Sequence, residues 1–278
     1  MRRKTPGVHS LNLYERLHMR HRRWRYARKS ERPSIAFLQS LDIEGRALID
    51  AGANWGVYSW IMSECAGPEG QVFSFEPQPE LNEHLLALKS AFELNNMTVT
   101  GAGLSSAPGT LDLQRPKAGS GEAGVSLPAG TFDEVIEVPV TTIDLFLAAT
   151  AHKPVGFIKA DVQGHEYHVF KGGEQTIVEH RPVLLFELFD YEADSGEIFN
   201  LLSNLGYCGW FFNVNPEDHR KLSRNGRGVF IDHTEYGAHS NVREGVDFRN
   251  YFFAHKDSSE YSAIRALQGQ LLTSAALS

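Results

Sequence analysis

Short apolar segments of strand length alternate along the chain with longer segments whose apolar residues recur at helical spacing. The strand-length segments occupy residues 47–50, 71–75, 97–101, 155–160 and 183–188, and a last one occupies residues 251–255. Helical spacing predicts a helix over residues 79–92 and another over residues 33–46, before the first strand. This alternation predicts an α/β fold with a mostly parallel sheet.

The alternation is interrupted between residues 105 and 140. Residues 110–114 and 135–140 alternate as strands do, and a stretch rich in Gly, Pro and Ser separates them. This pattern predicts a β-hairpin insertion between the third and the fourth parallel strands. A loop of this length inside a compact domain is either functional or disordered. Two interpretations therefore stay open, a lid over an acceptor site and plain disorder.

Charge divides the chain of 278 residues into three parts. Residues 1–32 form a basic arm with 11 Lys and Arg against two acids, whereas the whole chain has a net charge of −7. Residues 33–255 hold the predicted domain, and residues 256–278 form a polar tail. Apolar and aromatic residues recur within the arm, so we expect it to be helical. It is interpreted as a helix docked on the domain, as a contact for an anionic surface (nucleic acid or membrane), or as a targeting peptide.

Composition narrows the class of protein. No apolar run approaches the roughly 18 residues that span a bilayer, and no apolar stretch follows the basic start. Neither a transmembrane segment nor a secretory signal is therefore predicted. Cys65 and Cys208 give neither a disulfide framework nor a metal-binding spacing, which favours a reducing cytoplasm and predicts no metal site. The oligomeric state is not indicated.

A glycine-rich turn follows the first strand, where residues 47–56 read ALIDAGANWG. A strand, a glycine turn and a helix form the first unit of a nucleotide-binding sheet, and glycine lets a ligand approach the backbone. The phosphate fingerprint G-x-G-x-x-G is absent. The acid indicates instead a ligand with a cation or free hydroxyls, and S-adenosylmethionine fits because it has an amino group, a sulfonium and a ribose but no phosphate. The predicted cofactor-binding residues here are Asp50, Gly52, Ala53, Asn54 and Gly56, with Asn54 alternatively capping the next helix.

Later strands also end in acids. Glu76 ends the second strand, where a carboxylate is placed to accept hydrogen bonds from both ribose hydroxyls. Residues 103–105 follow the third strand and are expected under the adenine, with Ser105 as the candidate contact. Residues 157–166 read FIKADVQGHE, and the strand after them ends in Glu187. Acids at strand ends mark the ligand side of an open α/β sheet.

Six segments follow one another over about residues 46–255: LIDAGANWGVYS, VFSFEPQPE, VPVTTIDLF, FIKADVQGHEYHVFKGG, RPVLLFEL and NYFFAHK. Together they resemble the FkbM family of S-adenosylmethionine-dependent methyltransferases. The family usually has Glu where this chain has Gln163. The resemblance implies a Rossmann-like class I methyltransferase fold with a mostly parallel seven-stranded sheet and flanking helices. It also implies S-adenosylmethionine as cofactor and a hydroxyl acceptor on a small molecule or a glycan.

Methyl transfer to a hydroxyl requires alignment of donor and acceptor, and a base for the hydroxyl proton. Asp161 ends the fourth parallel strand and is predicted to orient the acceptor or to act as the base, with Lys159 on the same strand face. His165 is a rival base, because a histidine pKa of about 6.5 suits proton abstraction at neutral pH; alternatively it is a surface residue. Glu187 is predicted to line the acceptor site together with Glu166, which alternatively caps a helix.

A different class of function stays open beside the enzyme. A non-catalytic methyltransferase-like module would be recruited through the basic arm to nucleic acid or an anionic membrane. The complete set of Asp50, Gly52, Gly56 and Glu76 favours the enzyme. A nicotinamide dehydrogenase is disfavoured, since its phosphate fingerprint is absent.

Overall fold

The strands of the protein form one large and one small sheet. The computed structural model describes residues 10–127, 130–189, 193, 195–214, 227–235, 248–268 and 272–273. The strands within these residues are β1 (Ala47–Ala51), β2 (Gln71–Phe75), β3 (Met97–Thr100), β4 (Gly103–Leu104), β5 (Gly109–Arg115), β6 (Glu134–Thr141), β7 (Val155–Ala160), β8 (Val183–Phe189), β9 (Tyr207–Val214), β10 (Arg227–Asp232), β11 (Phe248–His255) and β12 (Leu272–Thr273). The five predicted parallel strands are β1, β2, β3, β7 and β8, which confirms the predicted α/β fold.

The large sheet has its ligand side at the end of β1. The strand order is β12-β10-β9-β11-β8-β7-β1-β2-β3, and the five strands from β8 to β3 run parallel. The chain leaves β1 for β2 on one side and later returns to β7 on the other, so the strand order reverses between β1 and β7. Ligands of open α/β sheets bind at the carboxyl ends of strands beside such a reversal. Asp50 of β1 pairs in register with Lys159 of β7 and Ser74 of β2 at this point.

The large sheet has nine strands among the described residues, not the predicted seven. β11 is antiparallel to both β8 and β9, and β10 and β12 extend the sheet beyond β9. β12 has two residues and lies in the segment predicted to be a polar tail. A pairing this short leaves no alternation of apolar and polar residues, and for that reason the polar pattern of residues 256–278 did not reveal it.

Helices cover both faces of the large sheet. They are α1 (Leu13–Arg25), α2 (Arg32–Ser40), α3 (Val57–Ala66), α4 (Pro79–Ala91), α5 (Ile143–Ala148), α6 (Glu166–Lys171), α7 (Glu174–His180), α8 (Glu197–Asn204) and α9 (Ser259–Leu267). One apolar core contains buried residues of α1 to α4 and α9, and a second contains those of α5 to α8. None of the helices in the described part of the chain combines the length and the apolar character that crossing a membrane requires.

The basic arm is helical where the structure describes it. A capping box begins α1: Glu15 N–H donates to Asn12 Oδ1 at 3.0 Å, and Asn12 N–H donates to Glu15 Oε2 at 2.7 Å. A π-helical turn (Tyr26–Ser30) joins α1 to α2. α2 ends at Ser40, earlier than the pattern over residues 33–46 predicts, because the backbone becomes extended at the next residue.

The predicted β-hairpin insertion is confirmed by β5 and β6. These strands pair antiparallel, and β4 adds to β6 to complete the three-stranded second sheet. The chain between β5 and β6 folds back on the hairpin, where Gly124 pairs with Gln114, and Leu127 N–H donates to Gln114 Oε1 at 2.8 Å. Gln78 Nε2 donates to the carbonyl oxygen of Ser120 at 2.8 Å. This segment therefore lies over the end of β2.

Candidate active site

Two adjoining cavities open at the carboxyl ends of the parallel strands. We name each after a glutamate that lines it, the Glu76 cavity and the Glu187 cavity. The turn after β1, the end of β2 and the hairpin bound the Glu76 cavity. The same turn, the ends of β7 and β8 and the end of the basic arm bound the Glu187 cavity. The residues that line both are Gly52, Asn54, Gly121, Asp161 and Gln163. Two ligands, one in each cavity, would therefore meet beside the turn after β1.

The two predicted glycines of this turn have different roles. Gly52 has a φ of +77°, and a Cβ atom there would lie 2.0 Å from the carbonyl oxygen of Asp161. Both conformation and space thus exclude a side chain where the backbone lines the cavities. Gly56 has a φ of +79°, but its Cβ would meet the side chains of Leu85 and Leu88 at 2.6 and 2.5 Å. Gly56 lines neither cavity and packs against α4, so its contact with a cofactor stays a prediction.

Asn54 lines both cavities and has one side-chain acceptor without a partner among the described residues. Its backbone is left-handed, with a φ of +50°, and its N–H donates to Glu76 Oε2 at 2.9 Å. The capping alternative is wrong, since the N-cap of α3 is Gly56 and no side chain caps that helix. Oδ1 of Asn54 is buried and lacks a hydrogen-bond partner among the described residues. Such an acceptor costs about 1–3 kcal/mol, which a donor on a bound ligand would offset. The neighbouring Ala53 lines the Glu187 cavity.

Glu76 is a buried carboxylate in the wall of its cavity. Its oxygens accept hydrogen bonds from the backbone N–H groups of Asn54 and Gln78, both at 2.9 Å. Burial raises the pKa of Glu76 to about 7, although the two backbone donors lower it. Two carboxylate oxygens have about four lone-pair sites, so acceptor capacity is left for two ligand hydroxyls. This geometry suits the predicted contact with a ribose.

A row of charged side chains runs from the interior of the sheet to the Glu187 cavity. Asp50 is fully buried, lines neither cavity and accepts a hydrogen bond from Ser59 Oγ at 2.6 Å. Lys159 Nζ lies 3.9 Å from Asp50 Oδ1 and 3.1 Å from Asp161 Oδ2. Burial disfavours the ammonium form, but the carboxylates of Asp161 and Asp50 outweigh it and raise the pKa of Lys159. Lys159 is therefore cationic, and it separates Asp50 from the cavity. Contact between Asp50 and a ligand stays a prediction.

Asp161 and Glu187 face each other across an amide. Gln163 Nε2 donates to Asp161 Oδ1 at 3.1 Å and reaches Glu187 Oε2 at 3.5 Å. A glutamate at position 163 would have no hydrogen to donate unless it were protonated. Burial, with the negative charges of Asp161 and Glu31, raises the pKa of Glu187 to about 8. No group of three or more side chains suited to hold a metal ion occurs among the described residues.

Glu31, Tyr58 and Asn250 are among the residues of the Glu187 cavity that sequence reasoning missed. Glu31 Oε2 accepts hydrogen bonds from Tyr58 OH and Asn250 Nδ2, each at 3.1 Å. Burial and the charge of Asp161 raise the pKa of Glu31. Residues 31 and 250 are 219 positions apart, so no local motif joins them. The one available signal was an acid at the end of an otherwise basic arm.

His165 lies in the Glu76 cavity rather than beside Glu187. Its Nε2 is hydrogen-bonded to Ser105 Oγ at 2.9 Å, and its ring stacks on His168 with centroids 4.5 Å apart. Burial and His168 lower the pKa of His165 to about 4, so the imidazole is neutral and a weak base at neutral pH. Ser105 lines neither cavity and instead holds His165, while the preceding β4 lines the Glu76 cavity.

Glu166 lies outside both cavities, in contrast to its predicted place in the acceptor site. It is buried, with Oε1 accepting from Val162 N–H at 2.7 Å and Oε2 from Gly164 N–H at 3.0 Å. Both oxygens thus hold the turn that carries Gln163, whose φ is +52°. The carboxylate stabilises this turn because it accepts hydrogen bonds from two backbone N–H groups of the turn that belong to no strand.

The fold and the site define the class of protein. The sheet reverses at β1, an antiparallel strand follows beside β8, and an acid ends β2 beside a glycine turn. This is the Rossmann-like architecture of class I methyltransferases.

Comparison with known proteins then gives the family. Residues 50–209 match the family model of the methyltransferase FkbM domain, which covers more than half of the chain. The protein therefore belongs to the FkbM methyltransferase family. No curated protein matches this chain significantly.

Solved structures with a similar fold share little sequence with the chain. The FkbM methyltransferase from Methylobacillus flagellatus is 18% identical, with a TM-score of 0.44 over 76% of this chain and 44% of that one. An S-adenosylmethionine-dependent O-methyltransferase from Thermotoga maritima is 14% identical, with a TM-score of 0.42 over 78% and 62%. Fibrillarin from Aeropyrum pernix, in complex with S-adenosylmethionine, is 10% identical, with a TM-score of 0.44 over 80% and 74%. The chain thus spans less than half of the Methylobacillus protein.

The residues present fit the cofactor. Glu76 offers acceptors for ribose hydroxyls, and the unpartnered Oδ1 of Asn54 offers one for a further donor. Gly52 lines both cavities with backbone atoms alone, because a Cβ atom there would collide with the carbonyl oxygen of Asp161. These three residues are therefore the ones that would hold S-adenosylmethionine.

Proposed function

We propose that this protein transfers the methyl group of S-adenosylmethionine to a hydroxyl group of a small molecule or a sugar. The observation that supports a hydroxyl acceptor is the lining of the Glu187 cavity. Carboxylates and amides there exchange hydrogen bonds with hydroxyls, and aromatic rings offer faces for the apolar side of a sugar or an aromatic compound. These residues are Tyr26, Glu31, Trp55, Tyr58, Asp161, Gln163, Glu187 and Asn250.

In this proposal Asp161 orients the acceptor and Glu187 removes its proton. Asp161, held by Lys159 and Gln163, accepts a hydrogen bond from the hydroxyl and orients it. Glu187, in its ionised form, takes the proton, because it lines this cavity, whereas His165 lies in the Glu76 cavity and its pKa of about 4 makes it a weak base.

Methyl transfer needs no reactant other than S-adenosylmethionine and the acceptor. The bound cofactor supplies an electrophilic methyl carbon on a sulfonium. With the cofactor bound, the acceptor oxygen would bond to that carbon as the carbon–sulfur bond broke with its electron pair on sulfur, and the Glu187 carboxylate would take the proton. Alignment of the two ligands contributes several kcal/mol, up to about 7–11 in favourable systems.

Methyl-labelled S-adenosylmethionine tests the proposal with a panel of sugars, phenols, amines and carboxylic acids. We expect label in a methyl ether, identified by mass spectrometry, and loss of transfer in Glu187→Gln. Transfer only to nitrogen or carbon acceptors would overturn the hydroxyl assignment while leaving the methyltransferase family intact.

A further inference from the structure

The outer face of α1 exposes a continuous apolar strip. Leu13, Tyr14, Leu17 and Trp24 are 74%, 76%, 55% and 48% exposed. At about 100° per residue they fall, together with His21, within a sector of roughly 100° on the helix. Four large apolar residues on one sector of one exposed helix differ from apolar residues scattered singly, which are normal on protein surfaces.

The fold fixes this strip toward the outside. The opposite side of α1 carries the buried Met19. On the same side, Arg22 lies 4.7 Å from the centre of the Trp55 ring, and Arg23 lies 5.3 Å from that of Trp60 and pairs with Glu64. Rotation of the helix would break these contacts, so the apolar strip has no route to the interior.

Basic side chains border the strip. Those that are exposed are Arg16, Arg20, Arg25, Arg28 and Lys29. Arg16 and Arg20 lie along one edge of the sector, and Arg25 lies along the other. Lys29 Nζ lies 5.4 Å from the centre of the Trp24 ring. Residues 10–32 contain eight Lys and Arg against two acids, although the whole chain is negative.

We propose that this face of α1 binds the surface of an anionic phospholipid bilayer. Leucines and a tryptophan enter the boundary of the acyl chains, while arginines at the edges meet anionic headgroups. Charge complementarity selects an anionic partner, and the two leucines favour lipid over nucleic acid, because aliphatic side chains add little to phosphate contacts. The 13 residues of α1 span about 20 Å, which suits a helix lying in the interface. This inference does not depend on the methyl acceptor.

Vesicle sedimentation with the full chain tests the proposal. Phosphatidylcholine vesicles are compared with vesicles that also contain phosphatidylglycerol. We expect binding to the anionic vesicles only, weakening with added salt. The variant L13A/L17A/W24A should lose at least about tenfold in the lipid partition coefficient. The matched control L86A/L145A/V178A removes exposed apolar residues elsewhere and should bind as the wild type does.

A second variant removes charge without removing apolar area. R16Q/R20Q/R25Q should lose binding to anionic vesicles, whereas K117Q/K153Q/K256Q, which alters exposed lysines elsewhere, should keep it. Thermal unfolding and S-adenosylmethionine binding confirm that each variant is folded. Three outcomes would overturn the proposal: unchanged vesicle binding by both α1 variants, binding to oligonucleotides but not to vesicles, and a concentration-dependent dimer that the apolar α1 variant abolishes in place of lipid binding.

Discussion

The Glu76 cavity and the Glu187 cavity share one turn but are built in different ways. The Glu76 cavity takes its polar contacts from short segments next to strand ends, and backbone N–H groups fix its glutamate. The Glu187 cavity combines the end of the basic arm, α3, the ends of β7 and β8, and β11. Side chains rather than backbone hold its acids in place.

This difference in construction suits the two cavities to two different kinds of ligand. Backbone contacts and glycines suit a ligand that every family member must bind, because they change little when side chains change. Side chains drawn from distant segments suit an acceptor that differs between relatives. Substitutions in the two cavities should therefore separate cofactor binding from acceptor turnover.

The largest effect is expected at Glu187. Glu187→Gln keeps the shape of the side chain but removes the proposed base, so kcat should fall by about 10²- to 10⁴-fold. The dissociation constant of S-adenosylmethionine should stay unchanged. Steady-state kinetics with the acceptor from the methylation screen measure both, and Glu179→Gln on the surface of α7 is the control. Full activity in Glu187→Gln, with loss in Asp161→Asn, would make Asp161 the base.

A matched pair of glycines tests the shared turn. Gly52→Ala places a Cβ 2.0 Å from the Asp161 carbonyl oxygen, whereas Gly45, with a similar φ of +72°, has no atom within 4 Å of its Cβ position. Gly45→Ala should cost about 1 kcal/mol of unfolding free energy, from backbone strain alone. Gly52→Ala should lower the free energy of unfolding by more than Gly45→Ala does. It should also weaken cofactor binding at least about tenfold, which corresponds to about 1.4 kcal/mol of binding free energy. Equal effects of the two on stability and cofactor affinity would contradict the close approach.

Cofactor affinity should depend on pH through Glu76. Its pKa is about 7 in the free protein, and ribose hydroxyls favour the ionised form. Affinity should therefore hold above pH 7 and fall below it, by at most about tenfold per pH unit. Titration calorimetry at roughly even pH steps from about 5.5 to about 8.5 measures this pH dependence of the affinity. Glu76→Gln should abolish the slope, and a slope that persists in that variant would assign it to another group.

The smallest effect is expected at Glu31. Glu31→Gln removes one charge of the acceptor cavity but keeps the side-chain volume. The acceptor KM should rise by about three- to tenfold, the scale of one lost hydrogen bond, with the S-adenosylmethionine dissociation constant unchanged. Tyr58→Phe, which removes a donor to the same carboxylate, should change KM in the same direction. A change in cofactor affinity alone would place Glu31 on the cofactor side.

The sequence predicts the part of the molecule that local patterns encode. Buried strands such as β1 and β7 read as apolar runs, and Glu76 follows from the strand that it ends. The glycine pattern also predicts the turn after β1, but it does not show that Gly56 packs against α4. These features depend on neighbours in the chain, which a single sequence shows.

Features set by contacts between distant segments were not predictable in the same way. Glu31 meets Asn250 across 219 positions, and the lowered pKa of His165 arises from burial against Ser105 and His168. Neither burial nor a contact at such separation leaves a period in the sequence. β12 was not predicted for a different reason, since a strand of two residues is too short to show a period.

The other predictions depend on the binding of S-adenosylmethionine by the turn after β1 and Glu76. Titration calorimetry of the wild type and of Glu76→Ala with S-adenosylmethionine tests it most directly. We predict binding by the wild type and a loss of about 1–3 kcal/mol in the variant, the scale of hydrogen bonds to a charged group. Unchanged affinity in a folded Glu76→Ala variant would contradict the account.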